Sequence, residues 1–256
     1  MGKALYIAEK PSVAQEFANA LKISARRSDG YLESDTAVVT WCVGHLVTMS
    51  YPEAYDPKYK RWSLQTLPFL PKEFKYQVID GVSKQFQIVS RLLNRSDIDT
   101  IYICTDSGRE GEYIYRLVAQ MAGVKGKQEK RVWIDSQTEE EILRGIREAK
   151  SLGEYDNLAA SAYLRAKEDY LMGINFSRAL TLKYGPAIAN FMGSKWTVVS
   201  VGRVMTCVLG MAVRREREIR SFVKTPFYRV IGTFQQDGMD FQAEWKAAEG
   251  SRYFQS

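Results

Sequence analysis

An apolar, β-branched run that stops abruptly on a cluster of carboxylates constrains this chain more than any other feature. Ile101-Tyr102-Ile103-Cys104 leads into Thr105-Asp106-Ser107-Gly108-Arg109-Glu110-Gly111-Glu112, and Ile114, Leu117, Val118 and Met121 then recur at helical spacing. The pattern predicts a buried strand, a tight acidic turn and a helix. In open α/β sheets ligands bind outside the carboxyl ends of the strands, so these carboxylates stand where chemistry is placed. Like charges about 4 Å apart repel by about 4 kcal/mol at an effective dielectric near 20, so a cation is expected among them. Mg²⁺, which takes oxygen ligands, suits such a set. The plainer explanation of the same residues is a helix N-terminus lined with acids that match its macrodipole.

A second acidic strand end favours the first explanation. Ala4-Leu5-Tyr6-Ile7-Ala8 is a short apolar strand that runs into Glu9-Lys10-Pro11-Ser12. Ser12 and Gln15 have the spacing of a capping box, and Val13, Phe17, Ala20 and Leu21 continue on one helical face. Two parallel strands of one sheet would bring Glu9 beside Asp106 and Glu110.

At this point the residues resemble the Toprim domain of type IA DNA topoisomerases, most closely the topoisomerase III branch. Glu9-Lys10-Pro11-Ser12 is similar to that family's glutamate after the first strand, and Asp106, Arg109, Glu110, Gly111 and Glu112 to its Asp-x-Asp-x-Glu motif. Thr40-Trp41-Cys42-Val43-Gly44-His45-Leu46 looks like the family's glycine-histidine turn. Tyr163 to Asn175 looks like its long DNA-contacting helix, and Ser200-Val201-Gly202-Arg203-Val204-Met205-Thr206 like its Ser-x-Gly-Arg-Val-Gln-Thr signature. A lone acidic turn is a weak signal, whereas these segments in the family's order cover nearly the whole chain.

The resemblance implies ATP-independent cutting and resealing of single-stranded DNA through a 5′-phosphotyrosine, with Mg²⁺ as cofactor and no nucleotide cofactor. It assigns proton transfer at the 3′-hydroxyl to Glu9 and the steadying of phosphate charge to Lys10 and Arg109. It assigns the metal to Glu9, Asp106, Glu110 and Glu112, and DNA contact to His45, Arg165, Asp169 and Arg203. Arg165 and Asp169, four apart on one helix face, also read simply as an i,i+4 ion pair. The chain departs from the family pattern in two places. Gly108 stands at the second motif aspartate, which removes one expected ligand, and none of the 15 tyrosines lies in a Tyr-Pro-Arg context. The expectation is therefore the N-terminal part of a larger enzyme, binding DNA but nicking nothing by itself. Toprim sites also occur in primases, repair proteins and nucleases. A primase would bring a zinc-binding cysteine cluster and an ATPase-linked nuclease a G-x-x-x-x-G-K-[ST] loop, and neither is in the sequence.

Composition agrees. A formal charge of +6 favours a polyanionic partner modestly. No apolar run approaches the ~20 residues that span a bilayer, and the N-terminal apolar stretch is too short for a signal peptide, so no membrane partner is expected. Cys42, Cys104 and Cys207, widely spaced in apolar contexts, read as buried reduced thiols of a cytoplasmic protein.

The fold class expected is α/β: a Toprim-type, mostly parallel sheet flanked by helices, then a mainly helical domain and the start of a β-rich gate domain. The corresponding boundaries are 1–152, 153–220 and 221–256. Tyr31–Glu33 and Ala37–Trp41 read as paired strands and 51–71 as an irregular, proline- and aromatic-rich excursion. Ser83 reads as the cap of a helix through Leu93, Arg131–Ile134 as a strand, and Thr138–Glu141 as a capping box. Alternation on either side of Gln236-Asp237-Gly238 predicts a hairpin.

Overall fold

The computed structural model describes residues 2–23, 26–250 and 252, with residues 26 and 27 described by their backbone alone. The elements run β1 (Lys3–Ala8), α1 (Pro11–Ala20), β2 (Arg26–Ser28), β3 (Tyr31–Glu33), β4 (Ala37–Trp41), β5 (Val47–Met49), β6 (Tyr76–Val78), α2 (Ser83–Leu93), β7 (Ile98–Cys104) and α3 (Arg109–Ala122). They continue with β8 (Gln128–Arg131), α4 (Glu139–Arg147), β9 (Lys150–Ser151), α5 (Asp156–Phe191), α6 (Arg203–Arg220), β10 (Ile231–Gln236) and β11 (Met239–Glu244).

Seven strands form one sheet in the order β2-β3-β4-β1-β7-β8-β9. The four central strands are parallel, and antiparallel strands close both edges. Helices cover both faces, which is why β1 and β7 read as near-continuous apolar runs. Successive side chains of β1 feed opposite cores. Leu5 and Ile7 pack with α2 and α3 through Val89, Leu92, Ile114, Leu117 and Val118. Tyr6 and Ala8 pack with α1 and α4 through Val13, Ala14, Phe17 and Ile142. The chain leaves β1 through α1 towards β4 on one side and leaves β7 through α3 towards β8 on the other. The tips of β1 and β7 are therefore the sheet's switch point, where ligands bind in such folds.

Excursion 51–71 consists of short 3₁₀ turns over Pro52–Ala54, Pro57–Tyr59 and Leu64–Thr66. It is fixed to α5, where the Asn175 amide pairs with both backbone groups of Phe69 (2.6 and 2.9 Å) and Tyr170 donates to the Ser50 carbonyl. The helix α5 also joins the core beneath α3, with Tyr163 edge-on to Tyr113 at 5.1 Å.

Two compact units divide at residues 205 and 206. In the second, α6 turns no side chain into a core, and β10–β11 form the expected hairpin. Its two-residue turn, Asp237-Gly238, has both φ angles positive (51° and 78°), the signature of a type I′ turn.

Local signals misplaced some details. Ser12 and Gln15 make no capping box: Pro11 occupies the first helical position and Lys10 the cap, without a side-chain hydrogen bond. Ser83 is likewise the first helical residue, behind Val82 at the cap. The expected strand at Arg131–Ile134 lies earlier, at Gln128–Arg131, because pairing with β7 is what defines it. Thr138 does cap α4 by accepting from the Glu141 amide, but the Glu141 carboxylate reaches back to the Asp135 amide and not to Thr138. Cys42 and Cys104 are buried as expected, whereas Cys207 is exposed on α6. None of the described helices is long and apolar enough to cross a membrane.

Candidate metal and nucleic-acid site

Parallel register decides the central geometry. Ala8 stands opposite Cys104, so both strands end level and the next residues emerge side by side. The Glu9 carboxylate accepts from the Asp106 backbone amide at 3.4 Å. Glu9 is 7% exposed, and burial, followed by the Asp106 charge, raises its pKa above the ordinary 4.5. Lys10, largely exposed, lies 3.7 Å from Glu9. The neighbouring Cys42 thiol is pushed up to about 12, first by burial and then by Glu9.

Glu110 occupies the first turn of α3 and turns towards a different partner. Its Oε1 is 2.6 Å from His45 Nε2. Gly44, at φ +78°, donates its amide to the Glu9 carbonyl, which fixes the His45 turn to the tip of β1. The His45 ring also meets Tyr113, one turn along α3, edge-on at 6.0 Å. Arg109 is exposed at the first position of the same helix.

Glu112 requires a correction. It is fully buried, and both of its oxygens face arginines: Oε1 takes Arg131 Nε at 2.6 Å and Oε2 takes Arg116 Nε at 3.1 Å. Both oxygens are engaged by these guanidinium groups beneath the acidic turn, and neither faces the Glu9–Asp106 pair as a free donor. Arg131, which sequence reasoning treated only as the start of a strand, organises the turn. It donates to the carbonyls of Ile103, Thr105 and Val132, and to that of Asp106 at 2.6 Å. A charged residue opening an apolar run was the available signal, since a buried guanidinium demands a buried acid.

The two motif glycines have different reasons. A Cβ at Gly111 would stand 2.0 Å from the Asp106 carbonyl oxygen, so only glycine lets the first turn of α3 approach that loop. A Cβ at Gly108 would meet nothing within 4 Å, and its φ of 174° is open to any residue. A missing carboxylate at 108 is therefore not a demand of the backbone.

Among the described residues, no group of three or more His, Cys, Asp or Glu side chains is assembled to hold a metal ion. The adjacent carboxylates of Glu9 and Asp106 nevertheless fit Mg²⁺, which commonly binds through one or two carboxylates completed by waters and substrate phosphates. Beside them opens a cleft of about 590 Å³ lined by Val13, Asp106, Ser107, Asp135 and Gln137.

Three of the four expected DNA-contacting residues form a second cluster, Arg165 and Asp169 on α5 and Arg203 at the start of α6, while His45 stays at the acidic turn. Arg165 and Asp169 are only loosely paired, at 3.9 Å. Arg203 makes the close contacts, 2.5 Å to Asp169 and 2.6 Å to Glu168. That guanidinium holds the Asp169 carboxyl below its usual range, with Arg165 a lesser contribution. Among the described residues no contact joins this cluster to Glu9 or Asp106.

The chain is similar to known proteins along nearly its whole length. Residues 4–136 match the Toprim domain family and residues 153–255 the family described as DNA topoisomerase. The DNA topoisomerase 3 of Bacillus subtilis (strain 168) is 39% identical over 254 residues, covering 99% of this chain and 33% of that protein. DNA topoisomerase 3 of Shouchella clausii (strain KSM-K16) is 40% identical over 254 residues, with the same coverage of 99% and 33%. The chain thus spans about a third of the length of the curated relatives it matches.

Proposed function

Because the chain belongs to the Toprim domain family and continues into DNA topoisomerase sequence, we propose that it supplies the metal-binding and strand-gripping part of a type IA topoisomerase resembling topoisomerase 3. The observation that carries this reading is the meeting of Glu9 and Asp106 at the tips of adjacent parallel strands, 3.4 Å apart from carboxylate to amide.

The substrate proposed is single-stranded DNA, and the reaction of the whole enzyme is transesterification without a nucleotide cofactor, its nucleophilic tyrosine coming from outside these 256 residues. Glu9 serves the 3′-hydroxyl as it leaves and returns. Lys10 and Arg109 steady the phosphate. Glu9 and Asp106 would hold Mg²⁺, with Glu110 as a further oxygen donor from the first turn of α3. Bound there, Mg²⁺ would neutralise phosphate charge and orient the broken end for resealing. Arg165 and Asp169 from α5, with Arg203 at the start of α6, grip the strand. His45 adds a contact at the mouth of the acidic turn. Operation in the cytoplasm, on the nucleoid, belongs to the same proposal.

The 256-residue chain can test this directly. It is expected to bind a labelled oligothymidylate with affinity that falls steeply as salt rises, because phosphate contacts release counterions. Mg²⁺ should raise its melting temperature, and Glu9→Gln or Asp106→Asn should remove that increase while leaving strand binding intact. A covalent protein–DNA adduct formed by this chain, or a Mg²⁺ effect untouched by either substitution, would overturn the assignment.

A further inference from the structure

We propose that His45 is a positioning residue which governs the metal affinity of the acidic turn by holding Glu110 away from the Glu9–Asp106 pair. This rests on the reading of Glu9 and Asp106 as metal ligands. The acids of the turn divide into an inner pair, Glu9 with Asp106, and an outer one, Glu110, whose Oε1 lies 2.6 Å from His45 Nε2. No third donor joins the inner pair among the described residues.

The anchor and the tethered group differ in what holds them. His45 is carried by a turn whose Gly44 amide is bonded to the Glu9 carbonyl, and its ring is backed by Tyr113. The Glu110 side chain is 68% exposed, and the imidazole is the partner the structure gives it. Rotation of that side chain alone, with no movement of α3, frees it from His45. Its hydrogen bond to His45 and its ligation of a metal shared with Glu9 and Asp106 then compete, and the loss of the first is the cost of the second.

The sign of the effect separates this latch from an ordinary supporting hydrogen bond. A histidine that merely oriented a ligating carboxylate would weaken metal binding when removed, as outer-shell partners do. A latch strengthens it. The probe is Mn²⁺, titrated into the metal-free chain and followed by the electron paramagnetic resonance signal of the free ion. His45→Ala is expected to tighten Mn²⁺ binding by roughly three- to tenfold, the range of a modest hydrogen bond. His45→Gln, which can still donate to Glu110, should stay near the parent. In a Glu110→Gln background, His45→Ala should change nothing.

Unchanged or weaker binding in His45→Ala would overturn the latch, and so would a tightening that persists with Glu110→Gln. Failure of the underlying reading looks different: Glu9→Gln would then bind Mn²⁺ as tightly as the parent, whatever happens at His45.

Discussion

Glu112 and Arg131 form a fully buried ion pair, 2.6 Å apart, directly beneath the loop that presents Asp106. Removing one member of a buried pair typically costs about 3–5 kcal/mol when the other is left uncompensated; without Arg131, Glu112 would keep Arg116 at 3.1 Å. Arg131 also satisfies the backbone carbonyls of Ile103, Thr105, Asp106 and Val132. Arg131→Met is therefore expected to lower stability by up to about that amount and to disorder the acidic turn. Urea unfolding measures it, and an unchanged midpoint would show that the pair contributes only shape.

The glycines flanking Arg109 and Glu110 make opposite predictions. Gly111→Ala forces a Cβ against the Asp106 carbonyl, and overpacking of this kind costs about 1–3 kcal/mol. It should also displace Asp106 and abolish the Mg²⁺-dependent rise in melting temperature. Gly108→Asp meets no obstacle, so its stability should stay within about 0.5 kcal/mol of the parent, as for other unobstructed surface changes. It adds an oxygen donor at the N-cap of α3 and should tighten Mn²⁺ binding. Equal destabilisation by both substitutions would contradict the geometry.

The sequence made each strand and its acidic tip legible because these depend on short-range order: an apolar run, an acid, and a helical period after it. The parallel pairing of two such strands brings Glu9 to Asp106. What it hid were relationships across the fold. Glu112 looks like a ligand in a row of acids until Arg131, 19 residues away, is seen to face it from β8. Glu110 looks like a member of the acidic set, yet a histidine 65 residues earlier holds it. Helix starts were misread for a local reason: Ser12 and Ser83 lie within a residue or two of the true caps, and proline at position 11 settles the first of them.

Glu33 predicts an acid limb at the end of the sheet opposite the site. Its carboxylate takes both guanidinium nitrogens of Arg95, at 2.7 and 3.0 Å, and the Lys3 ammonium at 2.6 Å. Arg95 first, and Lys3 after it, lower its pKa from 4.5 to about 2. A carboxyl held down in the folded state stabilises fully above its unfolded pKa and loses that contribution as pH falls through the folded one. Glu33→Gln should therefore be less stable than the parent at pH 7, with the deficit shrinking between pH 4.5 and 2. Urea midpoints across that range test it, and a deficit independent of pH would mean packing, not charge, is at stake.

Asn175 predicts how excursion 51–71 is held. Its amide replaces a strand partner for Phe69, accepting from the Phe69 N–H at 2.6 Å and donating to its carbonyl at 2.9 Å. Phe69 itself is 2% exposed and packs edge-on against Tyr55 and Tyr59, with centroids 5.2 and 4.9 Å away. The ring packing alone would leave those backbone groups buried and unpaired, a cost of about 1–3 kcal/mol. Asn175→Ala should lose that amount. Because the bonds join a loop to one helix, the loss should also show as local opening: amide exchange at Phe69 should accelerate by an order of magnitude or more, given that about 1.4 kcal/mol corresponds to tenfold. Exchange in β1 and β7, to which Asn175 makes no hydrogen bond among the described residues, should follow only the change in global stability. If protection at Phe69 and in β7 fell together, the excursion would unfold with the sheet and the clamp would have no separate existence.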